Sequence, residues 1–396
     1  MTTPSMTTGV TRTLARGVIA ATIAAAAFAG TAAAQTAPQT AAALPSYKVD
    51  AAQTTVSGLS SGGFMAIQFH VAYSASVAGA GVVAGGPYYC AQGSSSNTYY
   101  PCMYGSPSAA PLYDKARSFA SQKLIDPLSG LAGDKVYIFT GKSDHVVSAA
   151  SVEAARQFYK LAGVPDANIQ FVNNVDAGHV FVTTSYGNAC SQTQAPFIND
   201  CDYDQAGAIL QQLYGTLNPP STHPAGKVVA FNQAEFIPKA TTTATANTTV
   251  SWPTGWVLPN FWIPSTLPIV MPSPLPGTGS SGGTAALHSM NPTGYVYVPD
   301  SCAKGETCRI HVAYHGCKQT VNDVGDTYYT KTGYNRWADT NKIIVLYPQV
   351  IASSGNQNGC WDWFGYDSAN YAFKTGPQMV ATKAMVDRLA GVKKAK

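Results

Sequence analysis

Apolar and polar residues alternate along this chain in two series, separated by a stretch with no regular period. From Thr54 to Gly215, short β-branched runs take turns with longer segments of helical spacing. The pattern predicts a short strand before Ser60, a helix near Gly63 to Tyr73 and a strand over Gly79 to Gly85. A strand at Lys135 to Thr140, a helix from Ser148 to Leu161, a strand at Ile169 to Val172 and a helix around Ala206 to Tyr214 follow. A second series begins near Gly294, with strands at Tyr295 to Val298, Ile310 to Tyr314 and Ile343 to Tyr347. Its helices are expected at Gly333 to Asn341 and Gln378 to Leu389. Strands that alternate with helices build parallel βαβ units, so the expectation is a mostly parallel central sheet with helices on both faces. Between the series, Lys239 to Gly283 is rich in Pro, Thr, Ser and Gly and should lack regular structure. Trp252, Trp256, Phe261 and Trp262 make that stretch too aromatic for a passive linker.

The amino-terminal pattern is of another kind. Arg12 and Arg16, without an acidic neighbour, precede an apolar run from Gly17 to Ala29 and the small residues Thr31 to Ala34. The run is shorter than the roughly 20 apolar residues of a membrane-spanning helix. It reads as a secretory signal peptide, residues 1–34, cut after Ala34. The remaining chain, 35–396, is long enough for one large domain, with 239–283 as an insertion joining its halves.

Export changes the reading of the cysteines. Eight cysteines in an oxidising compartment point to four disulfides. Cys90 and Cys102, Cys190 and Cys201, and Cys302 and Cys308 sit close in Gly, Ser, Asn or Pro-rich loops, which leaves Cys317 with Cys360. Sequence does not fix connectivity, and a zinc site is the competing reading, although no Cys-x-x-Cys spacing supports it. His311 and His315 lie four apart on a β-rich run, roughly 13 Å from each other, too far to share one ion. Charged residues form 11% of the chain, and loss of the two leader arginines lowers the formal charge from +4 to +2. That balance argues against a nucleic-acid or acidic-polymer partner.

Two segments match Gly-x-Ser-x-Gly: Gly58 to Gly62, around Ser60, and Gly279 to Gly283, around Ser281. A nucleophile elbow needs a strand that turns sharply into a helix, so that a strained serine projects above the sheet. Thr54-Thr55-Val56 before Ser60 and Phe64 to Ile67 after it supply that context, and the second match has no strand before it. A serine hydroxyl needs a histidine to take its proton and a carboxylate to orient the histidine. In α/β-hydrolases the acid and then the histidine follow the serine in the chain. Asp144, just past the strand at Lys135 to Thr140, and His179, past the strand at Ile169 to Val172, satisfy both order and placement. His145 ranks below His179, and Asp176 is the runner-up acid.

The oxyanion hole of this fold combines the amide after the nucleophile, here Ser61, with one from a His-Gly loop that normally precedes the elbow. The corresponding loop, Tyr314-His315-Gly316-Cys317, instead comes late in the chain. A circularly permuted α/β-hydrolase fold explains this, the insertion joining the former termini.

Val56 to Met65, Ala84-Gly85-Gly86-Pro87-Tyr88, His315-Gly316-Cys317 and Gly359-Cys360-Trp361-Asp362-Trp363 together resemble the extracellular poly(3-hydroxybutyrate) depolymerases, the single-domain fungal type above all. The likeness runs from Leu44 to the carboxyl end, in the same motif order. It implies Ser60, Asp144 and His179 as the catalytic residues, the amides of Ser61 and Cys317 as the oxyanion hole, and Trp361 or Trp363 lining the substrate cleft. The expected activity is hydrolysis of poly(3-hydroxybutyrate) or a related short-chain polyester through an acyl-enzyme, by a secreted monomer that acts outside the cell or in the periplasm. The expected partner is the insoluble polyester, with no nucleic acid, membrane, metal or cofactor. Competing readings are an esterase on soluble or plant-polysaccharide esters and a non-catalytic polymer-binding protein.

Overall fold

The computed structural model describes residues 41–239 and 287–392. The leader, the second Gly-x-Ser-x-Gly match and Trp252, Trp256, Phe261 and Trp262 lie outside the described residues. Strands β1 (Thr55–Leu59), β2 (Gly79–Val83), β3 (Lys135–Phe139) and β4 (Ile169–Val172) come first. Three short strands, β5 (Phe181–Thr183), β6 (Asn188–Ala189) and β7 (Ile198–Asp200), then form a small separate sheet. The last four are β8 (Lys227–Asn232), β9 (Thr293–Val298), β10 (Arg309–Tyr314) and β11 (Ile343–Tyr347). The main sheet has eight strands in the order β4-β3-β2-β1-β10-β11-β9-β8. Pairing from β4 through to β11 is parallel, while β9 runs antiparallel to both β11 and β8.

Strand β1 therefore sits in mid-sheet between β2 and β10, neighbours drawn from opposite ends of the chain. The fold is that of an α/β-hydrolase, as the alternating pattern predicts.

The period-2 geometry of the strands divides the core in two. Val136 and Ile138 of β3, with Ile344 and Leu346 of β11, face one layer, built on helices α1 (Ser61–Ala72), α3 (Ala149–Leu161) and α6 (Pro377–Leu389). Helix α2 (Ala109–Ser121) packs beside α3 in that layer. Tyr137 and Phe139, with Ile343, Val345 and Tyr347, face the other, covered by α4 (Gln205–Tyr214) and α5 (Tyr334–Asn341). Every residue of α1 is buried, so this mostly apolar helix is wrapped on all sides. Of its polar members, Gln68 donates to the carbonyls of Asp362 and Tyr371 and His70 bonds Tyr159 and Asp134, whereas the buried Ser61 hydroxyl has no partner among the described residues.

Helix α2, the edge strand β8 and the small sheet have no counterpart in the sequence pattern. Strands β5 and β7 are three residues each and β6 two, too short to show an alternation. The four disulfides pair as the spacing suggests, Cys90–Cys102, Cys190–Cys201, Cys302–Cys308 and Cys317–Cys360. No helix among the described residues is long and apolar enough to cross a membrane.

Candidate active site

Ser60 occupies the turn between β1 and α1 with φ 57° and ψ −121°, a conformation a non-glycine residue holds only when its surroundings impose it. The flanking glycines show what imposes it. A Cβ on Gly62 would lie 2.3 Å from the Tyr314 carbonyl oxygen, and one on Gly58 would lie 2.3 Å from that of Gly62. Only glycine lets the turn close against β10. The Ser60 amide donates to Val83 of β2, which fixes the turn to the sheet.

Asp144 lies in the loop that follows β3 and is buried. Its Oδ1 accepts from the amides of Val146 (2.8 Å) and Val147 (3.0 Å), leaving Oδ2 to meet His179 Nδ1 at 2.8 Å. His179 is also buried, and its own amide donates to Thr193 Oγ1 at 2.9 Å. The Asp144 bond puts the ring proton on Nδ1 and frees Nε2 to accept. Ser60 and His179 line one cavity of about 360 Å³. No hydrogen bond joins the serine hydroxyl to the ring, a common condition in active sites before substrate tightens them. His145 is exposed, and Asp176 is held by the Ser143 hydroxyl rather than by His179.

Ser61, at the amino terminus of α1, and Cys317, past the end of β10, line the same cavity. The first amides of a helix have no intrahelical acceptor, and the Cys317 amide donates to no other group among the described residues. Two free N–H groups beside the nucleophile are what a developing alkoxide needs. His311 and His315 do not converge: His311 bonds Thr55 and Ser57 inside the sheet, and His315 lies beyond the strand end.

No family model matches the chain. It is 47% identical over 358 residues to the poly(3-hydroxybutyrate) depolymerase of Delftia acidovorans, a match that covers 88% of this chain and 62% of that protein. The chain thus spans less than two thirds of that relative. It is 35% identical over 370 residues to the polyhydroxybutyrate depolymerase of Talaromyces funiculosus, covering 88% of this chain and 93% of that protein. The chain belongs to the polyhydroxybutyrate depolymerase family. Two solved structures agree: a PHB depolymerase complexed with an R3HB trimer (TM-score 0.72) and the PHB depolymerase of Penicillium funiculosum (0.71). Each is 34% identical and is covered over its whole length by 89% of this chain.

Within this depolymerase-family site the two tryptophans separate. Trp363 lines the cavity and stacks on Phe64 of α1, ring centroids 3.8 Å apart and planes 12° apart. Trp361 is fully buried against Tyr314 and His315 and does not line the cavity. In the run Trp361-Asp362-Trp363, the first ring enters the core and the third covers the site. The Cys317–Cys360 disulfide ties that tryptophan loop to the turn that carries the second free amide.

The sequence pattern left three exposed rings unnoticed. Tyr99, Tyr100 and Tyr104 are 58%, 65% and 47% exposed, the first two inside the loop closed by Cys90–Cys102 and the third just past it. Tyr99 and Met103 line the cavity, so this aromatic cluster stands at its mouth. The signal available was the density of aromatics beside Pro101 in Tyr99-Tyr100-Pro101-Cys102-Met103-Tyr104. A larger groove of about 900 Å³, between α6 and Phe236, is lined by neither Ser60 nor His179.

Proposed function

We propose that this chain is a secreted serine esterase that hydrolyses the ester bonds of poly(3-hydroxybutyrate) or a related short-chain polyhydroxyalkanoate. The observation that carries the reading is the 2.8 Å Asp144–His179 pair, whose histidine lines the same apolar cavity as the strained Ser60. Family membership supports it, and a relative's structure contains a trimer of the corresponding hydroxyacid. Ser60 Oγ attacks the ester carbonyl as His179 Nε2 takes its proton, and Asp144 holds the resulting imidazolium. The amides of Ser61 and Cys317 hold the alkoxide. Collapse expels the alcohol end of the polymer, which leaves with the proton from Nε2. Water then attacks the acyl-enzyme by the same route, giving a free carboxylic acid and restoring Ser60. Every step is proton transfer or acyl transfer at carbon.

Trp363, Phe64, Met103, Val146 and Val147 give the cavity an apolar wall suited to a short alkyl side group. The tyrosines at its mouth favour an insoluble polymer over a soluble ester, because a solid apolar surface can cover rings that otherwise face water. Signal-directed export belongs to the same reading, supported by the leader pattern and the four disulfides. The test is clearing of a poly(3-hydroxybutyrate) suspension, measured beside hydrolysis of soluble acetyl and butyryl esters. Wild type should clear the suspension, and Ser60→Ala should lose turnover by on the order of a million-fold with an unchanged thermal midpoint. Soluble-ester hydrolysis without clearing would assign the chain to the other esterase reading.

A further inference from the structure

Cys317 contributes its amide to the site, but its side chain is tied up in a disulfide, so something else must aim that N–H. The peptide that carries it joins Gly316 to Cys317 and is trans. In a trans peptide the C=O and N–H point in opposite directions, so whatever holds the Gly316 carbonyl also fixes the direction of the Cys317 N–H. The Gly316 carbonyl accepts a short bond from His315, whose Nδ1 lies 2.7 Å from it, and a longer one of 3.3 Å from the Gln319 amide. His315 Nε2 is 3.3 Å from the Val350 backbone nitrogen. A backbone N–H can only donate, so Nε2 is the acceptor and the ring proton is on Nδ1, donating to Gly316. One tautomer satisfies both contacts. Burial lowers the His315 pKa to about 4, which keeps the ring in that neutral form. The preceding peptide is fixed as well: the Gly316 amide donates to Gln319 Oε1 at 2.7 Å, and Gln319 Nε2 donates to the Pro196 and Phe197 carbonyls. Trp361 packs against the His315 ring and closes off its motion.

We infer that His315 is a positioning residue for the reaction, whose Nδ1–H holds the Gly316 carbonyl so that the Cys317 N–H faces the oxyanion. The inference rests on the esterase reading above and deepens it. A carbonyl that accepts a hydrogen bond also polarises its own peptide, which makes the N–H at the other end a better donor. His315 touches no substrate. Its effect should therefore fall on the transition state, where the alkoxide exists, and not on the bound ester, where it does not.

Two substitutions separate its two contacts. Asn places its side-chain nitrogen where Nδ1 stands and can keep the bond to Gly316 while losing Val350. Gln reaches the Nε2 position and can keep Val350 while losing Gly316. Both leave a polar group and a partly filled space, so both should lower stability by similar amounts. With a soluble butyryl ester, His315→Gln should lose kcat by about tenfold to a hundredfold with KM unchanged, since removal of a whole oxyanion donor costs about a hundredfold to a thousandfold. His315→Asn should stay within a few fold of wild type. A second readout needs no activity: in protein labelled with ¹⁵N at cysteine, the Cys317 amide resonance should move in the Gln variant and stay near its wild-type position in the Asn variant. Equal kcat losses in the two variants, a change confined to KM, or an unmoved Cys317 resonance in His315→Gln would overturn the inference. If the resonance behaves as expected but wild type hydrolyses no ester, the holding of the peptide stands and the esterase reading falls.

Discussion

Removing the tyrosines that stand clear of the cavity should detach the protein from polymer without slowing its chemistry. Tyr100 and Tyr104 are 65% and 47% exposed and do not line the cavity, whereas Tyr99 does. An aromatic side chain presents roughly 200 Å², so about 110 Å² of each ring faces water. A flat solid covers only one side, about 55 Å² per ring. At about 25 cal/mol per Å² this is about 1.4 kcal/mol, or tenfold in affinity for each ring. The cluster loses little entropy on adsorption, because Tyr99 stacks on Tyr104 and Cys90–Cys102 closes the turn. The double substitution Tyr100→Ser, Tyr104→Ser should therefore weaken adsorption to poly(3-hydroxybutyrate) granules by tenfold to a hundredfold. Adsorption is measured as protein depleted from solution over a range of granule concentrations, beside the rate on a soluble butyryl ester, which should stay within twofold. Unchanged adsorption would refute the reasoning and turn attention to Trp256, Phe261 and Trp262. Equal losses on granules and soluble ester would show that the rings support the cavity instead.

Three further outcomes follow from the site and the core. Asp144→Asn should lower kcat by about a thousandfold to ten-thousandfold: Oδ1 is committed to the amides of Val146 and Val147, so the new NH₂ faces His179 Nδ1, forces the proton onto Nε2 and removes the base; a loss under tenfold would count against this acid. Reduction of Cys317–Cys360 should impair ester hydrolysis at denaturant concentrations where circular dichroism still reports a folded chain, and full activity with a free Cys317 thiol would contradict the tie between the two loops. Burial lowers the pKa of His311 to about 3, so as pH falls below about 6.5 the unfolded chain takes up a proton that the folded chain refuses, and stability drops until pH reaches about 3. His311→Gln should remove about 1.4 kcal/mol per pH unit from the acid slope of unfolding free energy in that window, and an unaltered slope would refute the assignment.

What could be read in the sequence was whatever a single local pattern encodes. The elbow was legible because a strand, two glycines and an apolar helix surround Ser60, and each is required within ten residues. Asp144 and His179 were legible because both follow a strand end in the order the fold imposes. The three-residue strands were not, since two alternations do not make a period. Exposure of Tyr99, Tyr100 and Tyr104 was hidden for another reason: an aromatic run reads the same whether it packs inward or stands in solvent.

The pair Trp361 and Trp363 sets the limit more sharply. Residues two apart share a side in a strand and lie on different faces in a helix, but Cys360 to Trp363 is neither, so no period assigns the two rings. Their separation is settled by Asp362 between them. Its carboxylate accepts from the amides of Gly365 and Tyr366 at 2.7 and 3.0 Å and from those of Asp367 and Ser368 at 3.2 Å. Its own amide donates to Gln378 Oε1, and its carbonyl accepts from Gln68 of α1. These bonds supply backbone partners that neither helix nor sheet provides, and they pin the loop so that one ring is drawn under His315 while the other lies over Phe64. Each of those partners is distant in sequence from Asp362 or sits in irregular chain, so the wall of the cavity is written in tertiary contacts, whereas the nucleophile beneath it is written in five consecutive residues.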